Sequence, residues 1–303
     1  VSAFGAPLEL PVRPPFRLDL TIEALRRLAS NAVDVVGADG TYYRAFDDGA
    51  ETSAIAVRAL GASSLEVRAT ASGAARWLDV VGRMLGTTAD LTRWYERSAA
   101  VTWLAPIART LRGVRPPRYP TLWEACAHAI LFQQISIHAA AAIMRRAVEL
   151  LGTPVEVEGV RCIAFPPPQR WFEASDVRLR GVGISTNKVT HLKSAAAAIL
   201  DGSVDEAALE QMPTAEAADR LRAIRGIGAW SAAVVLLRGL GRLDTFPLRD
   251  SGVARTLALL SGDPHLDQTA LLEQLGDVRG MLYYHLLLGR LHDLAPPTSS
   301  RPG

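Results

Sequence analysis

Between Leu221 and Leu237 the chain reads LRAIRGIGAWSAAVVLL, two helical patterns joined by a tight turn of Gly226, Ile227 and Gly228. Glycines admit backbone dihedrals that other residues resist, and the free N–H groups opening the second helix attract an anion. A phosphate suits such a turn. Ile227 carries no group able to read a base, so the turn would hold a DNA backbone of any sequence, although a plain helix connection explains the same residues. Further on, LDTFPLRDSGVARTLALL places Asp250 directly before a helical run from Gly252 to Leu260. A carboxylate there is either an N-cap or the anion that stabilises a cation developing on a substrate.

Other chemistries lack their residues. The six histidines, His128, His138, His191, His265, His285 and His292, form no HExxH pair or other close ligand spacing, so no catalytic metal is expected. There is no phosphate loop of the GxxxxGK[ST] type and no GxSxG elbow, and GVG at Gly181 to Gly183 is too short for a dinucleotide fingerprint. Two cysteines, Cys126 and Cys162, supply neither a disulfide framework nor four thiolates for an iron–sulfur cluster. The net charge of +2 does not by itself point to nucleic acid, and the only lysines are Lys188 and Lys193. No apolar run approaches the roughly 18 residues of a membrane span, and VSAFGAPLELPVRPP shows no leader pattern. A cytoplasmic protein with a reduced interior is expected.

The elements that must carry these residues follow from periodicity. Apolar spacing turns helical at Ile22, Leu25 and Leu28, after which VDVVGADGTYYRAF and SSLEVRATA alternate as strands with Leu65, Val67 and Ala69 on one side. Ala75 to Leu85 and Leu91 to Val101 return to helical spacing. Three prolines in LRGVRPPRYPTL mark a boundary near 112–120. Beyond it the pattern is almost entirely helical: a long run ending at Gly152 with a break around Gln133 to Ser136, then Asn187–Leu200, Asp205–Gln211, Ala215–Ile224, Ala229–Leu237, Gly252–Leu260, Asp267–Leu275 and Met281–Leu291. The expectation is an α+β chain: a small mixed sheet and helix domain over 1–112, then a predominantly helical domain over 113–303 with the helix-hairpin-helix at about 215–238.

Taken together, Leu221, Gly226, Ile227, Gly228, Trp230, Ala232 and Asp250 make the chain resemble the helix-hairpin-helix (HhH-GPD) DNA glycosylase superfamily. Within it the alkylpurine branch, the DNA-3-methyladenine glycosylase II group, is most similar. AILFQQIS (Ala129 to Ser136) resembles the family segment facing the DNA minor groove, and LRGVGISTNKVTHLKSAAAAIL resembles its preceding helical hairpin. The similarity spans roughly Pro120 to Leu291 and reaches the first hundred residues only in pattern.

The resemblance implies base-excision repair on double-stranded DNA carrying damaged bases: the base is flipped out and Asp250 stabilises the sugar cation while water attacks. Trp230 stands where bifunctional members carry a Schiff-base lysine, which implies a monofunctional enzyme; the indole is either a wall of the base pocket or a core side chain. Gln134 aligns with the residue inserted into the gap left by the flipped base, and Gln133 either shares that role or caps the helix break. Arg225, Gly226, Ile227 and Gly228 would meet phosphate, and their carbonyls are where a monovalent cation can bridge to it; no other cofactor is implied. Lys188 is a phosphate contact or a solvated helix residue. Val234, Leu287 and Leu288 replace aromatic pocket residues of some bacterial members, and Tyr283 and Tyr284 either compensate or belong to the core. A single hairpin is compatible with a monomer. Two alternatives remain open: a DNA-damage binder without activity, and a glycosylase for a deaminated or oxidised base.

Overall fold

The computed structural model describes residues 4–70 and 74–295; the first three residues of the segment read for a leader lie outside that range. Five antiparallel strands, β1 (Leu8–Pro11), β2 (Asp34–Val36), β3 (Tyr42–Asp47), β4 (Thr52–Ala59) and β5 (Ser64–Ala69), form a sheet in the order β1-β5-β4-β3-β2, with helix α1 (Leu18–Arg26) between the first two. Alternation sends Tyr42, Ile55, Val57, Leu65 and Val67 to one face, where they join a core with the helices that follow. The opposite face carries Tyr43, Ala45, Ala54 and Ala56.

Helices α2 (Ala74–Leu85), α3 (Thr92–Ala99), α4 (Leu104–Thr110), α5 (Leu122–Leu131) and α6 (Ile137–Leu151) follow. The break foreseen at Gln133 to Ser136 is real: Ser136 caps α6 by accepting from the Ala139 N–H, as Thr121 caps α5 from Glu124. Next comes an element absent from the periodic reading, a hairpin of β6 (Thr153–Val157) and β7 (Val160–Ala164) that lays Val157, Cys162 and Ala164 on the second face of the sheet. Its segment is short and half-polar, which conceals it. Gly152 is correspondingly no left-handed helix stop: its φ is −80°, and a Cβ there would meet the Ala164 carbonyl at 2.5 Å. The glycine is needed for the close passage of β7.

The rest is helical: α7 (Pro168–Glu173), α8 (Asp176–Gly181), α9 (Thr186–Leu200), α10 (Glu206–Gln211), α11 (Thr214–Arg222), α12 (Ala229–Arg238), α13 (Ser251–Ser261), α14 (Gln268–Leu275) and α15 (Gly280–Leu291). Side chains of α2, α5, α6, α9 and α12 pack with the sheet in one core, whereas α3, α4, α13, α14 and α15 share a second. Helix α1 serves both, turning Ile22 and Leu25 to the first and Leu20 and Ala24 to the second. The buried Arg238 guanidinium at the end of α12 donates to the Ala24 and Leu25 carbonyls at 3.1 and 2.8 Å, tying α12 to the last turn of α1.

Candidate nucleic-acid and catalytic site

The turn between α11 and α12 takes a left-handed φ of 93° at Gly226, and a Cβ there would stand 2.2 Å from Cγ of His191 on α9. Glycine is therefore required twice over, by dihedral and by space. Gly228 differs from the expectation for a paired turn. Its φ of −88° is open to any residue, and a Cβ would meet nothing within 4 Å. What Gly228 leaves is open space before the unsatisfied N–H groups of α12. Ile227 turns inward, 3% exposed, as a residue that only holds the turn should, while Arg225 is exposed.

Gln133 ties this turn to the α5–α6 connection. Its Nε2 donates to the Gly226 carbonyl at 2.9 Å and to Ser231 Oγ at 2.7 Å, so the side chain is neither a helix cap nor free for DNA. The same bond engages one of the carbonyls considered for a cation; among the described residues no cluster of acidic, histidine or cysteine groups is arranged for a metal. Gln134 is exposed with a left-handed φ of 57°, between Gln133 and the exposed Ile135. The apolar Ile135 and Ile137 beside it were not singled out in the sequence, where they read as ordinary members of an apolar run.

Lys188 corrects its expectation. Its half-buried ammonium meets neither phosphate nor bulk solvent but donates to the Leu131 and Gln133 carbonyls, each at 2.8 Å. The C-terminus of α5 presents carbonyls without intrahelical partners and a negative dipole end, which a cation satisfies. Burial lowers the pKa of this amine. Lys188 thus holds the shape of the turn that presents Gln134.

Asp250 is the N-cap of α13. Its Oδ1 accepts from the Gly252 and Val253 N–H groups at 2.8 and 3.0 Å, and its Oδ2 accepts from Trp230 Nε1 at 2.9 Å. Trp230, half-buried in the first turn of α12, packs on the first core, whereas α13 belongs to the second. The indole–carboxylate bond therefore crosses from one core to the other. Arg249, just before the aspartate, has a left-handed φ of 60° and is exposed beside Leu248, which is 53% exposed. The arrangement can hold an anion at the α12 N-terminus and present one carboxylate oxygen, oriented by an indole N–H, to a developing positive charge.

The tyrosine pair divides. Tyr284 is a core side chain whose hydroxyl donates to the Pro117 carbonyl at 3.0 Å, while half-buried Tyr283 accepts from Arg27 Nη2 at 2.8 Å. Val234 and Leu288 are buried in the cores and bring no aromatic ring to the site, and Leu287 is partly buried.

Residues 127–277 match the family described as HhH-GPD superfamily base excision DNA repair protein. Among curated proteins, a DNA-3-methyladenine glycosylase of Bacillus subtilis is 31% identical over 171 residues, 56% of this chain and 56% of that relative. DNA-3-methyladenine glycosylase 2 of Escherichia coli is 30% identical over 134 residues, 44% of this chain and 46% of its own length. The chain thus spans about half the length of these relatives. Among solved structures, a 3-methyladenine DNA-glycosylase from Archaeoglobus fulgidus superposes with a TM-score of 0.78 at 22% identity, covering 93% of this chain and 98% of the other, which establishes the same fold.

Proposed function

The chain belongs to the HhH-GPD superfamily of base excision DNA repair proteins, and from that premise we propose that it is a monofunctional DNA N-glycosylase. Its substrates would be damaged purines in double-stranded DNA, with alkylated purines the first class to try because the relatives it matches are named for 3-methyladenine. The observation that carries the reading is the Asp250 carboxylate, held by two amide N–H groups and the Trp230 indole beside an anion-binding turn.

In this mechanism the N-terminus of α12, opened by Gly228, holds a backbone phosphate with Arg225 at its flank, and the turn at Gln134 fills the space vacated by the flipped nucleotide. The C1′–N9 bond breaks with its electron pair going to the purine, and the cation on the sugar lies against Asp250. A water oxygen then adds to C1′, and its proton passes to Asp250 and on to solvent. No lysine stands at Trp230 to form a Schiff base, so the strand is left intact at an abasic site. A chain with one such hairpin can act as a monomer. A second reading, a deaminated or oxidised base as substrate, is supported by one observation, the Arg27 guanidinium beside Phe132 and Tyr283.

Release of free bases from methylated duplex DNA tests the proposal, with strand breaks scored before and after alkali. Released methylpurines, with breaks only after alkali, are expected, and Asp250→Asn should lower release by about a hundredfold or more while leaving DNA binding near the wild-type value. Tight binding with no release of any base would support a damage binder instead.

A further inference from the structure

Beside the candidate site lies a cavity of about 480 Å³, its open mouth included, walled by the end of α1 and by α5 and α6. That size falls within the roughly 300–1,000 Å³ of small-ligand pockets. It adjoins the site through the α5–α6 connection: Phe132 and Ile137 line it, and Gln133 between them is bonded to the Gly226 carbonyl and to Ser231, the neighbour of Trp230.

Its polar groups are unusually unspent. Arg27 Nε, Arg26 Nε, the Tyr119 hydroxyl and His128 Nδ1 are buried without a hydrogen-bond partner among the described residues, and all four side chains line the cavity. Arg27, Tyr119 and His128 are 9%, 2% and 8% exposed. Buried polar groups are nearly always satisfied, so orphans gathered around one cavity mark a missing partner rich in acceptors. Arg27 is also set in place at a cost. Its backbone has a φ of 60°, a region that non-glycine residues seldom occupy, and its guanidinium lies 5.0 Å from the Phe132 ring centroid while donating to the Tyr283 hydroxyl. Among the described residues Arg27 has no carboxylate partner and no acidic side chain lines the cavity.

We propose that this cavity receives the flipped base and that Arg27 selects a neutral 6-keto purine, of which hypoxanthine is the simplest, ahead of a cationic N-alkylated purine. The inference rests on the glycosylase reading above. A cationic base entering beside an unneutralised guanidinium is repelled in a site where water screens poorly. A neutral base has the opposite need: when the C1′–N9 electron pair moves onto the purine, negative charge spreads to O6, and a guanidinium hydrogen bond there stabilises it. The purine takes a proton from solvent on release. Burial holds the neighbouring His128 neutral, its pKa well below that of a free imidazole, so it can donate or accept toward the ring edge. Ordinary guanine shares the 6-keto group but stays paired; a mismatched hypoxanthine costs less to extrude.

The test uses two otherwise identical duplexes, one with a single hypoxanthine and one with a single 7-methylguanine, which keeps the keto group but is cationic. Single-turnover release is measured for the full chain, Arg27→Gln and Arg27→Lys. Wild type is expected to release hypoxanthine, Arg27→Gln to lower the hypoxanthine to 7-methylguanine rate ratio about ten- to hundredfold, and Arg27→Lys to recover part of it. An unchanged ratio in a folded Arg27→Gln overturns the selection. Should that variant fail to fold, Tyr283→Phe, which frees the guanidinium from its hydroxyl anchor, must shift the same ratio, and no shift overturns the proposal. Release of 7-methylguanine but not hypoxanthine by wild type refutes the selection and leaves the glycosylase reading intact. Release of neither base, nor of any methylpurine, removes the glycosylase reading and this inference with it.

Discussion

Asp250 divides its two oxygens, Oδ1 to the amides that begin α13 and Oδ2 to the Trp230 indole. Capping and catalysis are therefore compatible in one side chain, where the sequence offered them as alternatives. The same holds for Trp230, which is neither wholly core nor only a wall, because its N–H sets the direction of the carboxylate. Trp230→Phe keeps a ring at that place and removes the donor. We expect base release to fall about tenfold, the loss of one hydrogen bond to a charged group, with DNA affinity unchanged. Single-turnover kinetics beside a binding titration measure both, and an equal loss of affinity would assign Trp230 to DNA binding instead. The carboxylate and the turn glycines are visible as types at a spacing; that the indole reaches the carboxylate is not, since residues 20 apart on separate helices meet only through packing.

At the scale of the element, the α11–α12 turn uses its two glycines for unlike purposes. Gly226→Ala adds a methyl against His191 at a left-handed φ, and we expect a loss of about 1–3 kcal/mol of stability. Gly228→Ala adds it in open space at an extended φ, so the fold should change by less than about 0.5 kcal/mol. The methyl would instead stand where phosphate approaches the α12 N-terminus, weakening DNA binding and making it less salt-dependent. Thermal denaturation and a binding titration across salt concentrations separate the two, and a Gly228→Ala protein with wild-type affinity and salt slope would mean that no phosphate sits there. Helix starts and stops in this region follow caps and apolar spacing closely, whereas Lys188 at the end of α5 and the β6–β7 hairpin do not, because each answers to an element distant in sequence.

Across the whole molecule, the sheet and the helices are joined by a buried ion cluster in which Arg44 of β3 pairs with Asp34 of β2 and Glu124 of α5. Burial pushes the Glu124 carboxyl up to about 7, so between 4.5 and 7 the folded chain binds more protons there than the unfolded chain does, and this group's contribution to stability declines as pH rises. The buried His285 has the opposite sign. Its nitrogens meet the Met281 carbonyl and the Trp94 N–H, and burial lowers its pKa to about 4. Between 4 and 6.5 the unfolded chain binds the extra proton, so this contribution is complete above 6.5 and is lost as pH falls toward 4. It amounts to about 3 kcal/mol at most. Because the two slopes oppose each other, the clean measurement is the stability difference between wild type and His285→Gln in urea at several pH values. That difference should shrink as pH falls from 6.5 to 4; a constant difference would assign His285 to packing alone.

Apolar periodicity and capping residues were enough to expect the α+β class, the helices from α9 to α15 within a residue or two, the break before Ser136, and the turn and carboxylate of the site. Those features arise from interactions within a few positions along the chain, which a linear sequence displays directly. Folding decided the rest. It placed the Lys188 ammonium on the end of α5, required Gly152 for the passage of a strand, split Tyr283 from Tyr284, and set Arg27 beside a tyrosine 256 residues away, at the wall of a cavity. Such contacts follow from how the cores close and which buried polar groups are left to satisfy one another, and neither is written in local spacing.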